Sequence, residues 1–279
     1  MTIALFDDVS IQCNRAITRA YSTSFASAIL LLHKDLRSPI YNIYGMVRLA
    51  DEIVDTFHDH DKSELLQHFE QQTFDAVAQK ISLNPVLHAF QLTVNRYNID
   101  LSLIRSFFNS MRSDLTEKKY NKESYDQYVY GSAEVVGLMC LYVFCEGDRP
   151  RFDRLKTSAR ALGAAFQKVN FLRDMRADYN DLSRTYFPDC NFDNFTIGDK
   201  NSIEKEIEQD FCDAFDGIRQ LPLKAKFGVY VAYKYYYSLF RKIKLAPPAK
   251  IMQTRFRIAN HHKALIVFRA GLKMQLKML

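Results

Sequence analysis

Two stretches of this chain carry side chains whose types and spacing could do chemistry. In the first, YGMVRLADEIVD, Tyr44, Arg48, Asp51 and Asp55 follow one another at steps of four, three and four. On a helix all four share one face. That face borders the apolar stripe of Val47 and Val54, so the polar groups are expected to project inward, where an uncompensated carboxylate is costly. Two carboxylates one turn apart, with about 6 Å between their β-carbons, suit a hard cation such as magnesium, which keeps several waters and binds phosphate oxygens. Glu52, adjacent but rotated, can support them from behind. Alone, the stretch would read equally as a solvated acidic patch.

It does not stand alone. In GAAFQKVNFLRDMRADYNDLSRTYFP, Gln167, Asn170, Asp174 and Asp178 are spaced three, four and four apart, a second inward ladder of amides and carboxylates. Gly163, Ala164 and Ala165 just upstream let a neighbouring helix or a ligand come close. Two such ladders facing each other across a cavity would hold magnesium ions that gather a diphosphate between them. That arrangement ionises allylic diphosphates, because metals and arginine stabilise the leaving charge without proton transfer. Arg48 and Arg184 are the candidate organic cations, and either serves equally as an ion-pair partner of the aspartates.

The elements that must position these residues are helices. Leu36, Ile40, Ile43, Val47, Ala50, Val54 and Phe57 recur three or four apart, as do Phe166, Val169, Leu172 and Met175. Further helices are predicted from about Ser124 to Cys145, from about Ser202 to Ile218, and from about Lys224 to Lys244, where Pro247-Pro248 ends the last. Asp181 to Gly198, with Pro188 and several Asn and Asp, reads as a loop. With 48% hydrophobic residues, 9 Gly and 7 Pro in 279 residues, an all-α chain of long helices is expected. No repeat and no linker composition divides it, so one domain spanning 1–279 is the simplest organisation.

Five cysteines without a CxxC pair (Cys13, Cys140, Cys145, Cys190, Cys212) indicate neither a disulfide framework nor a zinc site, and read as reduced, buried thiols. The start lacks the order of a signal peptide, and the longest uncharged apolar stretch, Val135 to Cys145, falls short of the roughly 20 residues of a membrane span. A cytoplasmic location is expected. The net charge of +6 is uneven: no Asp or Glu follows Asp216, while that last stretch holds 14 of the 38 Lys and Arg, leaving the first part with 24 cations against 32 acids. A basic C-terminal region suits anionic lipid or a phosphorylated substrate; nucleic acid is not expected, since no zinc finger, RNP-type motif or Gly-rich basic tract accompanies the charge.

Taken in order, Tyr21-Ser-Thr-Ser-Phe25, Tyr44-x3-Arg48-x2-Asp51-x3-Asp55, Tyr128-x-Tyr130-Gly131, Gln167-x2-Asn170-x2-Arg173-Asp174-x3-Asp178 and Arg184-x-Tyr186-x-Pro188 resemble the motifs of the squalene and phytoene synthase family. The resemblance implies an all-α, isoprenoid synthase-type helical bundle around a deep apolar cavity. It places Asp51, Asp55, Asn170, Asp174 and Asp178 on two or three Mg2+ ions, with Mn2+ as an alternative, and on two prenyl diphosphates. Arg48, Gln167 and Tyr236 would surround the diphosphates, Tyr128 would sit near the reacting carbons, and Phe25 and Tyr44 would line the cavity. Arg255, in a basic segment resembling the family's C-terminal one, is a further diphosphate contact.

In that family one prenyl diphosphate ionises and alkylates the second, giving a cyclopropylcarbinyl diphosphate, which ionises again and rearranges. The resemblance implies phytoene from two geranylgeranyl diphosphates without NADPH. Dehydrosqualene or squalene from two farnesyl diphosphates is the alternative, and a silent assembly or lipid-carrier relative the third reading, which the four intact aspartates disfavour. The family's longer squalene synthases end in a membrane anchor, which is not expected here. The pattern departs from the family at three places: DExxD for the common DDxxD, Glu134 where many relatives carry Gly, expected to narrow the cavity, and Ser183 before the RxYxP arginine. The segment FRAGLKMQLKML sets Phe268, Leu272, Leu276 and Leu279 against Arg269, Lys273 and Lys277. It fits an interfacial helix at the inner face of the cell membrane, and also an ordinary amphipathic helix capping the bundle. Contact with downstream carotenoid enzymes is a further implied partner.

Overall fold

The computed structural model describes residues 2–180, 184–188, 190 and 195–276. Helices account for nearly all of it: α1 (Ile3–Tyr21), α2 (Thr23–Ile29), α3 (Lys34–Asp55), α4 (Lys62–Gln79), α5 (Pro85–Tyr97), α6 (Leu101–Thr116), α7 (Lys122–Val129), α8 (Val135–Cys145), α9 (Arg149–Asn180), α10 (Ile197–Gln220), α11 (Leu223–Lys244), α12 (Pro248–Ile251) and α13 (Asn260–Gln275). Among the described residues the extended structure is one isolated parallel bridge, Lys119 to Thr185.

Local chemistry sets many boundaries. Asp61, Asn84 and Asp100 each accept a backbone N–H at a helix start, and Asn98 closes α5 in the left-handed region at φ 50°. Thr196 and Asp199 form a capping box at the start of α10, so that helix begins five residues before the periodicity alone suggests and shortens the predicted loop. The segment expected as one helix from Ser124 to Cys145 is interrupted by a π-helical turn, Tyr130–Glu134, between α7 and α8. Phe57 lies beyond α3, which ends at Asp55.

α3, α8 and α9 lie at the centre, with α1, α5 and α6 against one side and α10 and α11 against the other. A continuous apolar cluster runs from Ile29 on α2 to Ala270 on α13. Buried polar clips join its layers. Asn14 donates to the Val86 carbonyl at 3.2 Å, and Asn42 to the Thr93 hydroxyl at 3.0 Å. The Lys168 ammonium meets Asp210 at 2.7 Å, fixing α10 on α9. Lys122–Cys145 has the length and hydropathy to cross a membrane. It instead walls an internal cavity with Ser132, Ala133, Val136, Gly137, Cys140, Leu141 and Phe144.

No disulfide joins the described cysteines, but only Cys145 is buried; Cys13, Cys140 and Cys190 are half-buried and Cys212 is exposed. Burial pushes the Cys140 thiol up to about 12, which makes it unreactive.

Candidate active site

The α3 ladder forms as its spacing demands. Arg48 bridges Asp51 and Glu52 from the same helix, and its guanidinium lies 4.3 Å above the Tyr21 ring. Asp55, one turn on, meets Arg184 at 3.4 Å. On α9, Gln167 reaches the Ser132 hydroxyl at 3.4 Å, Asn170 donates to Gln167 at 3.3 Å, and Tyr236 donates to Asn170 at 3.4 Å. Arg173 chelates Asp174 through Nε at 3.1 Å, and Arg255 Nε approaches the same carboxylate at 2.8 Å. Asp178 completes the ladder, and its carbonyl accepts the Arg184 N–H at 2.8 Å.

The two ladders face one another closely enough to feel each other's charge. Burial pushes Asp51 up to about 7, with repulsion from Asp55 next and attraction from Arg48 opposing both. Its side chain is still 36% exposed, which fits a carboxylate reached by water at a cavity mouth walled by protein. Burial likewise pushes Asp178 up to about 7, reinforced by Asp174 on its own helix and by Asp55 on α3. So much negative charge in one volume calls for cations.

Asp114 on α6 was not singled out by sequence. It is buried, and it accepts hydrogen bonds from Tyr128 at 2.6 Å and from Tyr120 and Tyr186 at 3.3 Å. Its backbone carbonyl takes Arg184 Nη2 at 2.8 Å, and its carboxylate lies 3.7 Å from Nη1. The bridge from Lys119 to Thr185 holds the Arg184 segment beside the α6–α7 connection. A signal was present: Asp114 interrupts the apolar stripe of Phe107, Phe108 and Met111 three residues after Met111.

Below the ladders lies a cavity of about 270 Å³, whose polar end is formed by Tyr44, Gln167, Asn170 and Tyr236 and whose other walls are almost wholly apolar. Phe25 stands at its aromatic rim, with ring centroids 5.7 Å from Tyr44, 5.9 Å from Phe166 and 5.6 Å from Tyr236. Burial pushes the Tyr44 phenol up to about 12. Tyr128 is not among the lining residues; its ring stacks 5.2 Å from Tyr186 and its hydroxyl is committed to Asp114. Glu134 does not narrow the cavity as expected, because it turns to Arg160 at 2.6 Å. Gly163 both lines the cavity and abuts the π turn, where a Cβ would come within 2.5 Å of the Ala133 carbonyl. Ser183 lies outside the described residues.

Among the described residues no three carboxylate, imidazole or thiolate groups close a metal site by themselves. The donor set nevertheless suits magnesium, which takes one or two carboxylates and completes its shell with water and phosphate oxygens. Arg48 Nε is also buried without a hydrogen-bond partner, as expected of a donor reserved for an anion.

The squalene/phytoene synthase family profile matches residues 18–261, and the chain belongs to that family. It is 32% identical over 198 residues to the phytoene synthase of Arthrospira platensis, covering 66% of this chain and 63% of that one. It is 26% identical over 199 residues to the 4,4'-diapophytoene synthase of Staphylococcus haemolyticus, covering 70% and 66%. The chain thus spans just under two thirds of these relatives' length. Its fold superposes on a dehydrosqualene synthase crystallised with a ligand at a TM-score of 0.81 and 20% identity, covering 98% of both chains. The squalene synthase HpnC from Alicyclobacillus acidocaldarius follows at 0.73 and 20%, covering 88% and 95%.

Proposed function

We propose that this chain joins two molecules of geranylgeranyl diphosphate head to head to form phytoene. The observation that carries the reading is that two ladders whose aspartates feel one another's charge, Asp51 and Asp55 with Asp174 and Asp178, also supply Tyr44, Gln167 and Asn170 to the lining of one apolar cavity. A prenyl diphosphate has the same division, a dense anion on an oily tail. These aspartates with Asn170 would hold magnesium, or manganese, which when bound would supply Lewis-acid stabilisation of the departing diphosphate.

The side chains do the rest. Arg48 and Arg184 set fixed positive charge against the diphosphates, with Arg255 beside Asp174. Gln167 and Tyr236 offer hydrogen bonds at the head of the cavity. When the first carbon–oxygen bond breaks, the allylic cation lies among Phe25, Tyr44 and Phe166, whose π faces stabilise it while the apolar walls exclude water. The second substrate's double bond attacks, a proton leaves and a cyclopropane closes. The second carbon–oxygen bond then breaks, the ring opens, and loss of another proton ends at the hydrocarbon. Two diphosphates and two protons leave, and no hydride is consumed, so NADPH is not required. Tyr128 acts from behind, holding Asp114 and through it Arg184.

Two features support the twenty-carbon substrate. The α2, α10 and α11 walls carry only small side chains at Ala28, Ala214 and Ala232, and identity to the Arthrospira phytoene synthase exceeds that to the staphylococcal enzyme. The likeness to the latter favours condensation of two farnesyl diphosphates as the second reading. Purified protein with magnesium, given each substrate with and without NADPH, decides by product mass. A forty-carbon hydrocarbon without NADPH is expected; a thirty-carbon product moves the assignment to dehydrosqualene or squalene, and no product from either substrate overturns the catalytic reading.

A further inference from the structure

On the opposite side of α11 from the catalytic cavity, α11 and α13 border an open cleft of about 750 Å³. Six cations line it: Lys234, Arg241, Lys242, Arg257, Arg269 and Lys273. No acid is available from this part of the chain, since none follows Asp216. Among the described residues none of the six forms an ion pair with a carboxylate. Lys242 donates only to the Arg257 carbonyl, at 2.9 Å. Burial, with Lys273 and Arg241 nearby, lowers the Lys234 pKa. Elsewhere the protein pairs its charges readily, so this uncompensated field calls for a partner bearing several negative charges.

The partner's other property is written on α13. This helix packs on α11 through Ile266 and Ala270. Leu265, Phe268, Leu272 and Leu276 face outward instead, with Phe268 65% and Leu276 67% exposed. At 3.6 residues per turn these four fall within an arc of about 80°. Arg269 and Lys273 fall between that stripe and the packed face, so their stems run along apolar surface while their charged ends reach over the cleft. An apolar ridge beside a bank of cations matches a surface whose polar layer is anionic and whose interior is hydrocarbon.

We infer that α13 and the α11–α13 cleft form a docking surface for an anionic phospholipid bilayer, with headgroup phosphates in the cleft and the Leu265, Phe268, Leu272 and Leu276 ridge inserted between acyl chains. This inference does not rest on the proposed reaction.

Sedimentation of the full chain with sucrose-loaded vesicles tests it. The protein should pellet with equimolar phosphatidylglycerol and phosphatidylcholine, stay in solution with phosphatidylcholine alone, and be largely released by high salt. The double substitution R269E/K273E should lower partitioning at least about tenfold, and F268S/L272S should lower it comparably, both with unchanged melting temperature. If the second pair impairs folding, Phe268→Ser alone replaces it. Failure to pellet with anionic vesicles, or wild-type binding by the charge-reversed protein, overturns the inference. Binding that the ridge substitution leaves unchanged also overturns it, and makes the cleft a site for a soluble anion.

Discussion

Arg184 shows how the proposed site is held together at the scale of single residues. Its guanidinium spans Asp55 on α3 and Asp114 on α6, and its backbone N–H is anchored on the Asp178 carbonyl of α9, so three helices meet on one residue. Asp114→Asn keeps the shape but removes the buried charge opposite Arg184; we expect a loss of roughly 3–5 kcal/mol, read from denaturant melts, together with reduced turnover. Asp51→Asn and Asp174→Asn should each abolish nearly all turnover with an unchanged circular dichroism spectrum, and an active variant of either kind would remove the proposed metal role. Asp51 and Asp178 titrate near 7 in the folded chain, against about 4 in the unfolded one. Between those values the folded state binds more protons, so without divalent cations stability should fall as pH rises from about 4 through about 7. Magnesium should reverse this, raising the melting temperature by about 5 °C at pH 8 and much less at pH 5, as differential scanning fluorimetry would report.

Among elements, the π turn at Tyr130–Glu134 does the most to shape the cavity. It sets Ser132 against Gln167, sends Glu134 outward to Arg160, and presses Ala133 onto Gly163. Gly163→Ala must push α9 from the π turn, because the added Cβ has backbone rather than a flexible side chain in its way. Overpacking of this kind costs about 1–3 kcal/mol, and a lower urea midpoint with an unchanged m-value would show it. The long apolar run from Val135 to Cys145 made a helix here legible, but the extra residue of a π turn leaves no mark in such a run, which is why one continuous helix was expected. The start of α10 was legible after all, in Thr196 and Asp199, whose capping box lies outside the apolar stripe used to delimit the helix. The C-terminal segment packs one face of α13 on α11 and leaves another bare, a division its alternating apolar and basic residues had made legible.

Across the whole molecule, the cavity joins walls from α2, α3, α8, α9, α10 and α11, and its size rather than any catalytic residue should choose the substrate. Ala232→Phe fills part of that space. We expect it to lower turnover of geranylgeranyl diphosphate at least tenfold more than turnover of farnesyl diphosphate, as steady-state kinetics with each substrate would show, since a rigid ring in a packed wall is not accommodated by small shifts.

The sequence by itself determined the helical class, because apolar residues at three- and four-residue steps can bury only one stripe, and the two ladders, because steps of three and four keep side chains on one helix face. It also determined that the C-terminal part would be basic without internal compensation. Only the tertiary structure decided which helices face each other, and with them the charge coupling between Asp55 and Asp178 and the place of Asp114 behind Tyr128 and Arg184. Those contacts join residues far apart along the chain, and nothing in local spacing encodes the angle at which two helices pack.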